Sequence, residues 1–156
     1  MRSFNWLENT ARSLAVRYSS MAPCSEYITR RLSALLLERL PREEALEMLE
    51  LLPPIPAEER AELQASARTD RDASIGYPDF VERAVFAIGT TSLLGSGDPG
   101  YEDGIRALAK SMADAYLWTV GHEIPTDLKY RIGRALPPDL RSRMDLYTTI
   151  DENKVA

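Results

Sequence analysis

A proline-bounded segment occurs twice in the chain and constrains its fold more than any other feature. The first copy, LPREEALEMLELLPP, runs from Leu40 to Pro54, and the second, IPTDLKYRIGRALPP, runs from Ile124 to Pro138. In both copies an aliphatic residue precedes a proline, another proline follows 12 residues later, and a double proline closes the segment. Proline suits the first position of a helix and disfavours helix in the residue before it, so each copy predicts one short helix. The shared pattern favours an internal duplication over coincidence.

Helical periodicity places further helices around both copies. Apolar residues recur at three- and four-residue spacing, whereas the alternating β-branched runs typical of strands are scarce. The predicted helices cover residues 3–19, 26–39, 41–52, 57–67, 77–89, 101–120, 125–136 and 139–147. We therefore predict an all-α fold, a helical bundle of about eight helices built from two similar four-helix halves with a pseudo-twofold relation.

Some residues predict where helices begin, end or face the solvent. Ser25 is predicted to cap the second helix, and Gly89 and Gly121 are predicted to end the fifth and sixth. The fourth helix has only a thin apolar stripe, so we expect it on the surface; the stripe consists of Ala57, Ala61, Leu63 and Ala65.

The length of 156 residues suits one domain or two very small ones. We predict a first helical repeat over residues 1–70, a second over 77–147 and a frayed tail over 148–156. Because one short repeat buries little apolar surface alone, we expect the two repeats to share one core in a compact domain.

Charge argues against nucleic acid as the main partner. The net charge is −5 and the sequence pI is about 5.0. Before Tyr77 the chain has 10 basic and 12 acidic residues, and from Tyr77 onward it has 9 and 12. Phosphate binding needs a positive surface, and neither part is basic.

The single cysteine and the absence of long apolar runs predict a cytoplasmic protein. Cys24 has no second cysteine with which to form a disulfide or a thiolate metal site within the chain. The N-terminus lacks the apolar run of a signal peptide, and no stretch reaches the ~20 apolar residues of a membrane span.

No catalytic signature is found. His122 is the only histidine, and its context, HEIPT, lacks the second histidine of the common zinc motif. Cys24 and His122 form a dyad only on paper, and no nucleophile elbow occurs. His122 is predicted to favour a helix C-terminus, where positive charge is stabilised. We assign no catalytic, cofactor-binding or metal-ligating residue, although a site for Mg²⁺ or Ca²⁺ made of carboxylates alone stays open.

Three segments have a second interpretation. The helix at 3–19 is either the first helix of the bundle or an amphipathic helix that docks elsewhere. Arg30 and Arg31 are either a solvated basic pair or a grip for an anion. The glycine-rich loop at 89–100 lacks the Lys-Ser/Thr pair of a phosphate-binding loop and is predicted to be a flexible connection.

The repeated pattern resembles a bacterial family, domain-of-unknown-function family 2267. The matching residues are Tyr77, Asp79, Phe80 and Val81, then Ile124-Pro125, then Leu136 to Arg141 in the second repeat, and Leu32 to Pro41, Glu43 to Ala45 and Leu52-Pro53 in the first. The resemblance implies a duplicated all-helical fold and implies no activity, cofactor or site residue.

Three functions are compatible with these features. The first is a non-enzymatic protein-binding or assembly module whose partner is another protein or a second copy of itself. The second is a small-molecule binder with a site between the halves, lined by Tyr116, Trp118 and Tyr130. The third is a hydrolase or metal enzyme around His122. We predict the first, with the second as the alternative.

Overall fold

Eight α-helices make up most of the chain that the structure describes. A computed structural model describes residues 5–68, 75–89 and 101–146, without the side chains of residues 101–103. The helices are α1 (Trp6–Arg17), α2 (Ser25–Arg39), α3 (Arg42–Glu50), α4 (Ala57–Arg68), α5 (Tyr77–Gly89), α6 (Tyr101–Glu123), α7 (Thr126–Ala135) and α8 (Pro138–Arg143), with a 3₁₀ helix (Ser19–Cys24) after α1. The described residues contain no strand, and the prediction of an all-α fold is confirmed.

One hydrophobic core receives side chains from all eight helices. We call residues 5–68 the first half and residues 75–146 the second half. Helix α1 packs against α2 and α6, and α5 packs against α6 and α2, so the halves are interleaved. Buried residues of α1 to α8, in that order, include Trp6, Leu36, Met48, Leu63, Phe80, Tyr116, Ile132 and Leu140. The repeat limits at residues 70 and 77 stay a prediction.

Proline occupies the N-cap position of three helices. Pro41, Pro125 and Pro137 have extended backbones, with ψ of 146°, 150° and 156°, and precede α3, α7 and α8. The Pro41 carbonyl accepts from the amide of Ala45 at 3.0 Å, and the Pro125 carbonyl accepts from Lys129 at 2.8 Å. We predicted proline one position later, as the first helical residue. The extended ψ rules that position out for these three residues.

Trp6 anchors α1, which the apolar pattern alone did not indicate. Its side chain is fully buried, and the indole Nε1–H donates to the carbonyl of Met48 in α3 at 2.8 Å. Thr10 is buried one turn later because its hydroxyl is satisfied by the carbonyl of Trp6 at 2.6 Å. The predicted side of α1 through Leu7 and Ala15 is only half-buried, because the buried face is centred on Trp6, Thr10 and Leu14.

Two expectations for the first half are wrong. Ser25 does not cap α2: it is the first helical residue, is buried, and follows Cys24 at the N-cap. Helix α4 is not a surface helix with a stripe through its alanines. It packs against α2 and α3 through Leu63, Ser66 and Ala67, because a hydroxyl and a methyl side chain take up little space between helices.

Gly121 does not end α6, which continues to Glu123. A Cβ atom on Gly121 would lie 2.0 Å from the carbonyl oxygen of Met144. The glycine therefore serves a close approach between the backbone after α8 and the side of α6, and not the left-handed conformation of a helix end. By contrast, Gly89 is the last residue of α5, as predicted.

The end of α8 is set by a left-handed residue. Asp145 has φ of 56°, its amide bonds the carbonyl of Ser142, and the amide of Leu146 bonds the carbonyl of Arg141. This is the hydrogen-bond pattern of a Schellman motif, with Leu146 buried behind it. The helix therefore stops at Arg143, short of the predicted residue 147.

Helix α7 differs from the prediction in its buried residues. Leu128, Ile132 and Gly133 are buried, whereas Tyr130 and Ala135 are only half-buried. The Tyr130 ring instead lies under the guanidinium of Arg134, 5.6 Å from its centroid.

Some predictions fall outside the described residues. These are Phe4 of the first helix and the segments 69–74, 90–100 and 147–156, which include most of the predicted loop and all of the predicted tail. Within the described ranges, no helix combines the length and the apolar content needed to cross a membrane.

Candidate functional site

A cleft of about 590 Å³ opens where α1 of the first half meets α5, α6 and α8 of the second. We call it the inter-half cleft. Its lining combines aromatic, charged and hydroxyl side chains: Arg17, Tyr18, Tyr77, Ser111, Asp114, Ala115, Trp118, Asp139, Ser142 and Arg143. The volume lies within the range of small-ligand pockets, roughly 300–1,000 Å³.

Asp114 is the centre of the charged groups in the cleft. Its carboxylate accepts from the Tyr77 hydroxyl at 2.6 Å and lies 3.4 Å from Lys110 Nζ and 3.6 Å from an Arg143 guanidinium nitrogen. The Arg143 guanidinium also lies 4.2 Å from the centroid of the Tyr77 ring. Burial and the hydrogen bond to Asp114 raise the pKa of Tyr77, so this phenol stays a donor at neutral pH.

Asp139 joins the start of α5 to the start of α8. One carboxylate oxygen accepts from the amide of Tyr77 at 3.0 Å, and the other accepts from the amide of Leu140 at 2.7 Å. Because amides at helix N-termini lack partners within the helix, a carboxylate shared between two such ends satisfies both. The wall of the cleft formed by α5 and α8 is thereby fixed.

The mouth of the cleft exposes an aromatic ring and a guanidinium. Trp118 is 47% exposed and packs on the His122 ring, with centroids 4.3 Å apart. Arg17 is exposed and has neither an ion pair nor a hydrogen bond from its side chain to any residue of the described ranges. Val16 beside it is 77% exposed. The hydroxyls of Tyr18 and Ser111 meet at 2.5 Å and link α1 to α6 beside the cleft.

His122 lies in the last turn of α6, as predicted. Its Nδ1 lies 2.7 Å from the carbonyl of Trp118, and its Nε2 lies 3.3 Å from the carboxylate of Asp145. Cys24 closes the turn after the far end of α1, at the start of α2. The described contacts do not join the two residues, and no group of three or more His, Cys, Asp or Glu side chains suited to a metal ion forms among the described residues.

The three aromatic residues predicted to line a site do not meet in one place. Only Trp118 lines the cleft. Tyr116 is fully buried in the core, where its hydroxyl donates to Ser33 Oγ at 2.8 Å and burial raises its pKa far above the usual range. Tyr130 is on α7, under Arg134.

The basic pair on α2 is paired with acids of α4. Arg30 lies 3.2 Å from Glu59 and 3.3 Å from Glu62, and Arg31 lies 3.5 Å from Glu62. These contacts favour a role in joining the helices over a role in binding an anion.

Sequence reasoning missed Tyr77, Asp114 and Arg143 as site residues. They come from three helices, α5, α6 and α8. Aromatic, acidic and basic residues at such separations form no local pattern, so only the packing of the helices brings them together.

Comparison of the chain with protein-family models, with curated proteins and with solved structures finds no match in any of the three. The site is therefore interpreted from its own residues.

Proposed function

We propose that the protein is a non-enzymatic binding module that engages another protein, or a second copy of itself, at the inter-half cleft. The observation that carries the proposal is the exposed Trp118 ring at the mouth of the cleft, with the unpaired guanidinium of Arg17 lining the same cleft. Tryptophan and arginine dominate the binding energy of protein interfaces, particularly where a concave surface shields them from water.

The charges inside the cleft favour binding over catalysis. Asp114 is already neutralised by Lys110 and Arg143 and bonded by Tyr77, so it is a poor general base. No histidine lines the cleft, and the serines there have no base within the contacts described. Fixed ion pairs of this kind suit a surface that keeps its shape while it receives a partner.

A tagged pull-down from the soluble extract of the source organism, read by mass spectrometry, tests the proposal together with sedimentation velocity at micromolar concentration. We expect either one stoichiometric partner or a dimer. Neither partner nor self-association at these concentrations would contradict it.

The alternative function is the binding of a small molecule between the halves. It is favoured by the size of the cleft and by its wall of hydroxyl groups from Tyr18, Ser111 and Ser142. A ligand that co-purifies with the monomer, and whose loss follows substitution of these residues, would favour the alternative over a protein partner.

We extend the proposal to the architecture: the two halves are a duplication with a pseudo-twofold relation. Supporting it, seven buried positions of α2 correspond, 84 residues later, to buried positions of α6. The pairs are Ser25/Ala109, Ile28/Met112, Thr29/Ala113, Leu32/Tyr116, Ser33/Leu117, Leu36/Val120 and Leu37/Gly121. The contact of α1 with α6 is likewise mirrored by that of α5 with α2.

The contact between α3 and α7 supports the same relation. Glu47 and Arg131, which are 84 residues apart, form a bidentate pair with both nitrogen–oxygen distances at 2.6 Å. At a twofold axis, equivalent residues face each other, so a pair between equivalent positions is expected there. Arg131 lowers the pKa of Glu47 through this hydrogen bond. Membership of domain-of-unknown-function family 2267 belongs to the same proposal, because that family is itself duplicated.

A further inference from the structure

A second concave site lies wholly within the first half. A groove of about 600 Å³ runs between α1, α2, the segment from Pro54 to Pro56 and the first turn of α4. We call it the first-half groove. Its apolar lining includes Leu7, Ala11, Ala15 and Ile55. The alanines leave room beside α1 that larger side chains would fill.

Thr29, which lines this groove, carries a buried hydroxyl without a partner. Its side chain is fully buried, and Oγ1 makes no hydrogen bond to the described part of the chain. Two other helical threonines behave differently: the Thr10 hydroxyl donates to the carbonyl of Trp6 at 2.6 Å, and Thr119 to that of Ala115 at 2.8 Å. A buried hydroxyl without a partner is costly, so Thr29 marks a place where a ligand atom would be stabilised.

The charges around the groove leave little attraction for an ionic ligand. Glu8 and Arg12 pair at 2.9 Å, and Arg30 pairs with Glu59 at 3.2 Å. Glu26 is at the exposed rim. An uncharged ligand with one hydrogen-bonding group and an otherwise apolar body matches this lining.

The second half indicates the shape of that body. Asp114 and Arg143 stand 84 residues after Arg30 and Glu59, and between them the ring of Tyr77 is held by a hydrogen bond to Asp114 and by the Arg143 guanidinium above it. An aromatic ring thus fits beside this ion pair in the second half. In the first half the space beside the pair is the open groove.

We propose that the first-half groove binds a small, uncharged aromatic molecule with one hydroxyl group, which bonds Thr29 Oγ1 while the ring packs on Leu7, Ala11 and Ile55. The site is separate from the inter-half cleft, and only the choice of an aromatic ring rests on the proposed duplication. Failure of this proposal therefore leaves the proposed function untouched.

The test is a titration of the full chain with phenol, and with toluene as the matched probe that lacks the hydroxyl, followed by amide chemical shifts. We expect saturable shifts at Ala11, Thr29 and Ile55, with phenol binding at least tenfold tighter than toluene. Shifts centred on the inter-half cleft, no saturable shift at all, or equal affinity for both probes would overturn the proposal.

Two variants separate the hydroxyl from the shape of the groove. Thr29→Val, nearly the same in volume, is expected to lose the preference for phenol and to keep the toluene affinity. Ala15→Leu is expected to fill the groove and to weaken both probes more than tenfold. Retention of the phenol preference by Thr29→Val would overturn the assigned hydrogen bond.

The free protein supplies a readout that needs no ligand. Because the Thr29 hydroxyl has no partner, Thr29→Val is expected to raise Tm. The control Thr10→Val, which removes a bonded hydroxyl from a neighbouring helix, is expected not to raise it. A fall in Tm for Thr29→Val equal to any fall for Thr10→Val would mean that the hydroxyl is already satisfied, and would overturn the proposal.

Discussion

The two halves join corresponding helices with ion pairs of opposite polarity. In the first half Arg30 of α2 pairs with Glu59 and Glu62 of α4, and in the second Asp114 of α6 pairs with Arg143 of α8. Arg30 and Asp114 are 84 residues apart, as are Glu59 and Arg143. The helix packing thus favours an ion pair at this place without fixing which helix carries which charge. Partly exposed pairs contribute little stability, so inversion of the charges costs little.

The apolar contacts of the two halves differ more. Leu37 of α2 is buried in the core, whereas the corresponding Gly121 of α6 admits the carbonyl of Met144. Trp6 is bonded to the Met48 carbonyl, whereas Phe80 packs in a stacked arrangement on Tyr116, with centroids 6.1 Å apart. The core of the second half therefore depends on close backbone packing, and that of the first on a large anchored side chain.

The largest expected effect is at Gly121. Gly121→Ala places a Cβ 2.0 Å from the Met144 carbonyl oxygen, so the backbone after α8 must move. We expect a loss of about 3 kcal/mol or more in the free energy of unfolding, measured by urea denaturation. The control is Gly104→Ala in the same helix, where a Cβ meets nothing within 4 Å. It is expected to stabilise by about 0.5–1 kcal/mol because alanine favours helix. Equal effects from both variants would contradict the close approach.

The next effect tests the anchor of the first half. Trp6→Phe removes the indole donor, leaves the Met48 carbonyl without that bond, and opens space in the core. We expect a loss of about 2–3 kcal/mol. Phe80→Leu, the comparison in the second half, breaks no hydrogen bond and is expected to cost about 1–1.5 kcal/mol. A larger loss from Phe80→Leu would reverse the assignment of anchors.

The framework was more predictable from the sequence than these differences. Pro41 and Pro125 act on their own helices, so the local pattern was enough to predict α3 and α7. The purpose of Gly121 depends on Met144, and the burial of Trp6 depends on Met48. Thr10 and Ser25 were missed because hydroxyl residues do not count in an apolar pattern, although both are buried. The inter-half cleft needs residues of four helices and left no local signal.

Stability at alkaline pH separates the buried contact between the halves from the rest. Burial keeps Tyr116 protonated in the folded protein, with a pKa above that of the unfolded chain, which is about 10. Its contribution is therefore complete below about pH 10 and is lost as the pH rises further, at up to about 1.4 kcal/mol per pH unit.

Denaturation at pH 9, 10 and 11 measures this slope. Tyr116→Phe is expected to have a shallower alkaline slope than the wild type, by up to one proton. Tyr77→Phe is expected to change the slope in the same direction but by less, since Tyr77 is only half-buried. An unchanged slope for Tyr116→Phe would contradict the burial of that hydroxyl.

The smallest effect is the reversal of the α2–α4 ion pair. Arg30→Asp places three acids together and is expected to cost about 0.5–1 kcal/mol at low salt. Adding Glu62→Arg reproduces the polarity of the second half and is expected to restore most of that loss. A double variant no more stable than Arg30→Asp would show that the polarity is fixed by neighbours outside the pair.

The direct test of the account is whether binding follows Trp118 or any exposed aromatic ring. Trp118→Ser removes the ring at the mouth of the cleft, and Phe86→Ser removes a ring on α5 that is 73% exposed and does not line the cleft. Both rings lie on the surface, so both proteins should fold. In the pull-down we predict that Phe86→Ser retains the partner, or the dimer, and that Trp118→Ser loses it. Loss with Phe86→Ser and retention with Trp118→Ser would contradict the assignment of the binding site to the inter-half cleft.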